Sequence, residues 1–302
     1  MKAADVDFMI AIFYRNPELL GTDSFRALEG RLENVGIEAR AVRLGDRNEG
    51  TEAGPAGLSD GGMATGDEMR DILGASSLIV SLGGDGTFLS AARLAAPLGI
   101  PVLGANMGRL GFLSENRPED VAEAIIDGDY RIEDNPVLSA EVLSADGQPK
   151  ADFLALNEIT VHRLGPAMLG VDASINGNQL PTYWADGLIV ATGLGSTAYS
   201  LSAGGPIAFP DSGVLLVTPI SPHNLNVRPL IIPESTTVEL RFRSRDPELV
   251  LSADNMNFVM TGDSRVRVEV AQFSLKRARL RDSGFINALT SRLYWGEDVR
   301  NH

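Results

Sequence analysis

Cysteine is missing altogether from the 302-residue sequence, and lysine nearly so: Lys2, Lys150 and Lys276 are the only three. Without thiols there is no disulfide, no thiolate nucleophile and no cysteine-built zinc site. The three histidines, His162, His223 and His302, are too scattered for the paired spacing of a zinc protease, so any metal would be held by oxygens. No glycine is followed by lysine, which excludes a Walker A loop. None of the lysines lies in an apolar strand behind a glycine-rich loop, which excludes a protein kinase. No apolar run reaches about 18 residues. The opening MKAADVDFMIAIFY has acidic flanks and no small-residue cleavage site, so the expectation is a cytoplasmic protein with no membrane partner.

What is present is acid: 40 Asp and Glu against 26 Lys and Arg give a formal charge of −14. With no basic tract, a nucleic-acid partner is excluded and a small-molecule partner expected. The 44% apolar content is that of a globular chain able to bury a core.

The first 130 or so residues alternate apolar runs with amphipathic ones. DFMIAIFY (7–14), IEARAV (37–42), SLIVSL (77–82) and IPVLGA (100–105) read as strands. FRALEGRLENVG (25–36), DEMRDIL (67–73), TFLSAARLAA (87–96) and PEDVAEAIIDG (118–128) read as helices, the last with Pro at its start and Gly at its end. This order predicts an α/β domain, residues 1–131, with a parallel sheet joined by right-handed crossovers. Residues 45–66 are glycine-rich and polar, either a functional lid or an insertion. From about 132 the pattern turns to closely spaced strands, with an Asn176-Gly177 hairpin turn. It predicts a β-rich, sandwich-like domain over 132–272. Residues 273–302 look helical again in DSGFINALTSRLYWGE and are expected to return to the first domain.

Residues 83–87, GGDGT, follow a buried-strand signal and precede a helix. They therefore fall at the carboxyl end of a parallel strand, where ligands bind in open α/β sheets. Gly83, Gly84 and Gly86 let main-chain amides approach an anion, and the helix directs its positive end to the same place. Asp85 repels phosphate unless it binds a metal or takes a proton from an attacking hydroxyl. The plainer alternative is a strand-to-helix turn in which Asp85 caps the helix.

A second glycine-rich stretch, GLIVATGLGSTAYSLSAGG (187–205), formally carries a dinucleotide fingerprint at Gly193, Gly195 and Ala198. It lies in the β-rich half, with no acid at the required distance, and is not a Rossmann site. Its hydroxyls at Ser196, Thr197, Tyr199, Ser200 and Ser202 suit a sugar or base, or else serve as turns and caps.

Together LGGDGTFLSAAR (82–93), PVLGANMGRLGFLSE (101–115), ALNEITVHR (155–163), WADGLIVAT (184–192), GSTAYSLSAGGPI (195–207) and PHNLNVRPLIIP (222–233) resemble the NAD kinase family in residue, order and spacing. The Gly-Gly-Asp-Gly motif is shared with lipid and sugar kinases. The Asn-Glu pair and the Gly-Ser-Thr-Ala-Tyr-Ser run are the specific part. The resemblance implies the NAD kinase-like fold and transfer of the γ-phosphoryl of ATP to the 2′-hydroxyl of the adenosine ribose of NAD, giving NADP, with a divalent metal, Mg2+. It implies Asp85 as proton acceptor, with Gly83, Gly84, Gly86 and Thr87 beside ribose and phosphates. Asn157 and Glu158 would hold the adenosine part. Asp186 would anchor the carboxamide or adenine, and Thr197, Ala198, Tyr199, Ser200, Leu201 and Ser202 would line the dinucleotide channel. It implies a homodimer or homotetramer, and catalysis in a cleft between the domains. A lipid or sugar kinase, or a silent dinucleotide-binding regulator, are the alternatives. Two positions depart from the family: Gly193-Leu194 replaces its usual Pro-Thr, and Trp184 stands where many members have arginine.

Overall fold

A computed structural model describes residues 8–45, 66–109 and 111–296. Its elements begin with β1 (Met9–Tyr14), α1 (Asp23–Asn34), β2 (Glu38–Arg43), α2 (Gly66–Ala75), β3 (Ser76–Leu82), α3 (Asp85–Ala95), β4 (Val102–Ala105) and α4 (Pro118–Asp127). They continue with β5 (Tyr130–Leu143), β6 (Pro149–Ala155), β7 (Glu158–Arg163), β8 (Leu169–Ile175), β9 (Asn178–Gln179), β10 (Tyr183–Ala185) and β11 (Gly187–Thr192). After a four-residue α5 (Tyr199–Ser202) come β12 (Val214–Ile220), β13 (Leu230–Pro233), β14 (Val238–Arg243), β15 (Glu248–Ala253), β16 (Met256–Thr261), β17 (Arg265–Leu280) and α6 (Phe285–Leu293).

The chain divides into two compact units. One holds the described residues up to Asp134 together with those from Leu275 onward, and the other spans Asn135–Ser274. The expected lid or insertion at 45–66 falls, but for its two end residues, outside the described residues.

In the first unit β2, β1, β3, β4 and the end of β17 lie side by side, all parallel. Every residue of β1 but the last is buried, as a strand covered on both faces requires. Ile10, Ile12, Leu78 and Val80 pack with Phe25, Leu28 and Leu32 of α1 and Val121 and Ile125 of α4. The alternate residues Ala11, Phe13 and Ile79 face the opposite side, where α2 and α3 contact the sheet. Thr22 caps α1 by accepting the Phe25 N–H, and Gly128 ends α4 in the left-handed conformation. The chain leaves β1 toward β2 on one side, and leaves β3 toward β4 on the other. The carboxyl ends of β1 and β3 therefore flank the topological switch point, and Gly83 follows β3 directly.

The second unit is antiparallel. One sheet runs β13-β12-β11-β7-β15-β16, and the other contains β10-β8-β14 and the first part of β17, with β5 and β6 attached. Alternate residues from both sheets, among them Val161, Val171, Leu188, Leu240 and Leu251, form one core, the two-layer arrangement expected from the strand spacing. Asn176 and Gly177, with φ of 47° and 79°, make the tight turn between β8 and β9. The other face of the six-stranded sheet, at Ile189, Ala191 and Leu216, is covered by Ala203 and Ala208. That packing brings the glycine-rich 193–205 segment onto β11.

Candidate active site

The turn after β3 depends on its first glycine. Gly83 has φ +146°, and a Cβ there would lie 2.6 Å from Thr87 Oγ1. Its N–H donates to the carbonyl of Ala105 on β4 at 2.8 Å, fixing the turn to the neighbouring strand. Gly84 is the N-cap of α3, and no side chain caps the helix. The alternative in which Asp85 caps the helix is therefore not what forms. Asp85 is already the first helical residue, one position too late for its side chain to reach back, and it turns to the loop that follows β4.

There Asp85 Oδ1 accepts the N–H groups of Leu113 and Ser114 at 3.0 and 2.9 Å, and Oδ2 accepts that of Phe112 at 3.0 Å. A carboxylate has about four acceptor positions. Three are filled, and the remaining one is on Oδ2. Gly111 permits the approach, because a Cβ there would fall on the carboxylate itself. Thr87 is buried in the first turn of α3, with its N–H on the Gly84 carbonyl.

In the second unit the Asn157-Glu158 step is held by a residue that the motifs did not single out. The Asp254 carboxylate accepts the N–H groups of Leu156, Asn157 and Glu158 at 2.9, 2.8 and 3.2 Å. Asp254 has φ +50° in the turn between β15 and β16, and returns its own N–H to the Glu158 carbonyl at 3.0 Å. In the sequence LSADNMNF it reads as an ordinary turn residue.

Glu158 itself is only 8% exposed, not the end of a solvated strand. Burial, reinforced by the neighbouring Asp254 charge, raises its pKa to about 8, against an opposing hydrogen bond from the Tyr199 backbone. Its Oε2 is buried without a protein partner, so a polar ligand group would find an acceptor or, on the protonated acid, a donor there.

The glycine-rich turn presses on the same step. A Cβ on Gly195 would overlap the Asn157 carbonyl, while Thr192 donates its hydroxyl to the Leu156 carbonyl at 2.6 Å and accepts the Gly195 N–H at 3.0 Å. Gly195→Ala is expected to destabilise the protein by about 1–3 kcal/mol. Urea denaturation of the variant checks this, and an unchanged midpoint would show that the turn can move away from Asn157.

In the hydroxyl-rich run two side chains serve the turn itself. Ser196 Oγ donates to the Ala208 carbonyl and accepts its N–H, both at 3.0 Å, and Ser200 Oγ pairs with Thr218 Oγ1 at 2.9 Å. These buried hydroxyls are spent within the unit, because the run folds back over β11 and β12. Thr197, Ala198, Leu201 and Ser202 lie in the same turn and short helix. Tyr199 is exposed and stacks on His162, centroids 5.6 Å apart. Burial lowers the His162 pKa, opposed by Asp186. Asp186 accepts the Arg163 Nε–H at 2.7 Å as a half-exposed ion pair. At the two departures from the family pattern, Gly193 packs under a main-chain loop, since a Cβ would lie 2.7 Å from the Phe209 carbonyl oxygen. Trp184 covers Gly170, whose Cβ would meet the ring at 2.8 Å.

The predicted residues thus fall into two groups: Gly83 to Thr87 at the switch point of the first unit, and Asn157, Glu158, Asp186 and the Thr197–Ser202 turn in the second. Glycines at a helix start beside an acid in a fixed orientation suit phosphate transfer, and the class is that of a kinase. The chain matches the ATP-NAD kinase N-terminal domain over residues 37–130 and the ATP-NAD kinase C-terminal domain over residues 156–280. It is 38% identical over 236 residues to an NAD kinase of Flavobacterium psychrophilum, covering 77% of this chain and 80% of the relative. It is 46% identical over 235 residues to an NAD kinase of Heliobacterium modesticaldum, covering 76% and 82%. Its fold is similar to that of yeast NADH kinase complexed with NADH, at TM-score 0.80 and 23% identity over 98% of this chain and 90% of that one. It is also similar to an NAD kinase from Archaeoglobus fulgidus in complex with ATP, at TM-score 0.69 and 24% identity over 95% and 99%. The chain belongs to the ATP-NAD kinase family. Among the described residues no helix is long and apolar enough to cross a membrane.

Proposed function

We propose that this protein transfers the γ-phosphoryl of ATP to the 2′-hydroxyl of the adenosine ribose of NAD, with Asp85 as the proton acceptor. The observation that carries the reading is the Asp85 carboxylate, oriented by three main-chain amides at the switch point and left with one acceptor position on Oδ2. A ribose hydroxyl is a poor nucleophile, and a positioned carboxylate that accepts its proton as the new O–P bond forms contributes about 10²–10⁴-fold. The glycine turn, the N-terminal end of α3 and Thr87 would hold the phosphates. Asn157, Glu158, Asp186 and the Thr197–Ser202 turn would hold the dinucleotide.

Among the described residues no group of three or more His, Asp or Glu side chains is placed to hold a metal ion. A magnesium ion that arrives on the nucleotide's own phosphates keeps most of its water and needs few protein ligands. When bound, the ion would neutralise phosphate charge, while the chain's own residues orient the alcohol and take its proton.

The test is incubation of the purified protein with ATP, Mg2+ and NAD, with product read by an NADP-specific dehydrogenase. NADP is expected. NAD binding without product would point to a regulator, and failure to bind NAD to another acceptor class.

The three hydrogen bonds also favour a second reading, in which Asp85 only staples the Gly111–Ser114 loop. Asp85→Asn, taken up in the Discussion, separates the two.

A further inference from the structure

The loop that grips Asp85 is itself gripped from behind. Arg277 Nη2 donates to the Phe112 carbonyl at 2.8 Å and, more weakly, to the Leu113 carbonyl at 3.4 Å. The Phe112 carbonyl and the Leu113 N–H belong to one peptide unit, and the Leu113 carbonyl and Ser114 N–H to the next. In a trans peptide the two groups point in opposite directions. Two successive peptide dipoles therefore run from the Arg277 guanidinium to Asp85 Oδ1, each with its oxygen on the cation and its N–H on the anion. Hydrogen bonds in such chains polarise and strengthen one another.

Arg277 is in turn held on the far side. The same Nη2 donates to Glu115 Oε1 at 2.9 Å, while Arg279 Nε and Nη2 donate to Glu115 Oε1 and Oε2 at 2.7 and 3.0 Å. The three side chains are 3%, 5% and 6% exposed, for Arg277, Glu115 and Arg279 respectively. The guanidinium also lies 5.9 Å from the ring centroid of Phe88, on the helix that begins with Asp85. The charged groups facing Arg277 are Glu115, Arg279, Glu133 and Asp85. Removing such ions from water offsets most of their attraction, so a buried arginine–glutamate–arginine cluster is a poor stabiliser for its size. Its geometry instead fixes the direction of two peptide groups.

We infer that Arg277, clamped by Glu115 and Arg279, is a positioning residue that sets the orientation of the Asp85 carboxylate through the peptides between Phe112 and Ser114. The inference rests on the reading of Asp85 as the proton acceptor. Arg277→Lys keeps the charge but replaces the fixed guanidinium plane, whose Nη2 meets both carbonyls and the carboxylate, by a freely rotating ammonium. Glu115→Gln keeps the shape and releases the clamp.

The experiment measures kcat per folded molecule and KM for NAD and ATP for both variants, with the folded fraction read by urea denaturation. We expect kcat to fall about 10-fold or more with KM within about two-fold. A merely structural residue would lower the folded fraction and leave kcat per folded molecule unchanged. If either variant is too unstable to assay, the other carries the measurement. Unchanged kcat per folded molecule, with Asp85→Asn inactive, overturns the inference alone. An active Asp85→Asn removes the reading beneath it.

Discussion

Asp85→Asn is expected to lower NADP formation by about 10²–10⁴-fold while leaving the protein folded. Asparagine is nearly isosteric, and its Oδ1 can still accept the Leu113 and Ser114 N–H groups. Its Nδ2, however, would face the Phe112 N–H where a carboxylate oxygen now accepts it. Opposing two donors costs about 1–3 kcal/mol, a loss that most domains survive. The other half of the change is chemical. The amide cannot take a proton from an alcohol, and the open Oδ2 position disappears. Turnover near that of the parent protein would remove the proton-acceptor role and leave Asp85 as a staple for its loop. A large loss of kcat with a modest shift in the urea midpoint supports the acceptor.

The second large effect concerns Glu158 and pH. Its pKa is raised from an ordinary 4.5 to about 8 by burial and by Asp254. Between those values the folded protein keeps a proton that the unfolded chain releases. Stability from this group is therefore fully present below about pH 4.5 and lost as pH rises through about 8, a change on the order of 5 kcal/mol. Glu158→Gln preserves the neutral shape and abolishes the titration. The variant should match its parent near pH 5 and exceed it in stability near pH 9, as measured by urea denaturation of both proteins without ligand. Parallel curves at the two pH values would show that the acid is not held protonated. The same substitution keeps a hydrogen-bonding group beside the Asn157 step, so its effect on NAD affinity can be read separately.

Much of the scaffold was legible because it is local. The strand–glycine–helix order at 77–96, the Pro118 start and Gly128 end of α4, and the Asn176-Gly177 turn each follow from residues adjacent in the chain. The helix start at Asp85 was misjudged by two residues because glycine is a weak sequence signal for a cap. What stayed hidden are the partners brought together by tertiary folding. Asp254 meets the Asn157 N–H across 97 positions, and Arg277 meets Phe112 across 165. Neither pairing leaves a local trace, and Asp254 looks like any turn residue until β15 and β7 pair. The hydroxyl-rich run left two readings open, because composition does not say which hydroxyls face inward: those of Ser196 and Ser200 bond to Ala208 and to Thr218 of β12.

The loop that orients Asp85 does so without lending a side chain. Phe112, Leu113 and Ser114 contribute main-chain atoms alone. Their side chains can therefore change within the limits of packing while the acid's hold persists, and only an imino acid, which has no hydrogen to give, would erase a contact outright. The one letter of the loop that records this hold is Gly111, where a Cβ would fall on the carboxylate; the rest belongs to the path of the chain.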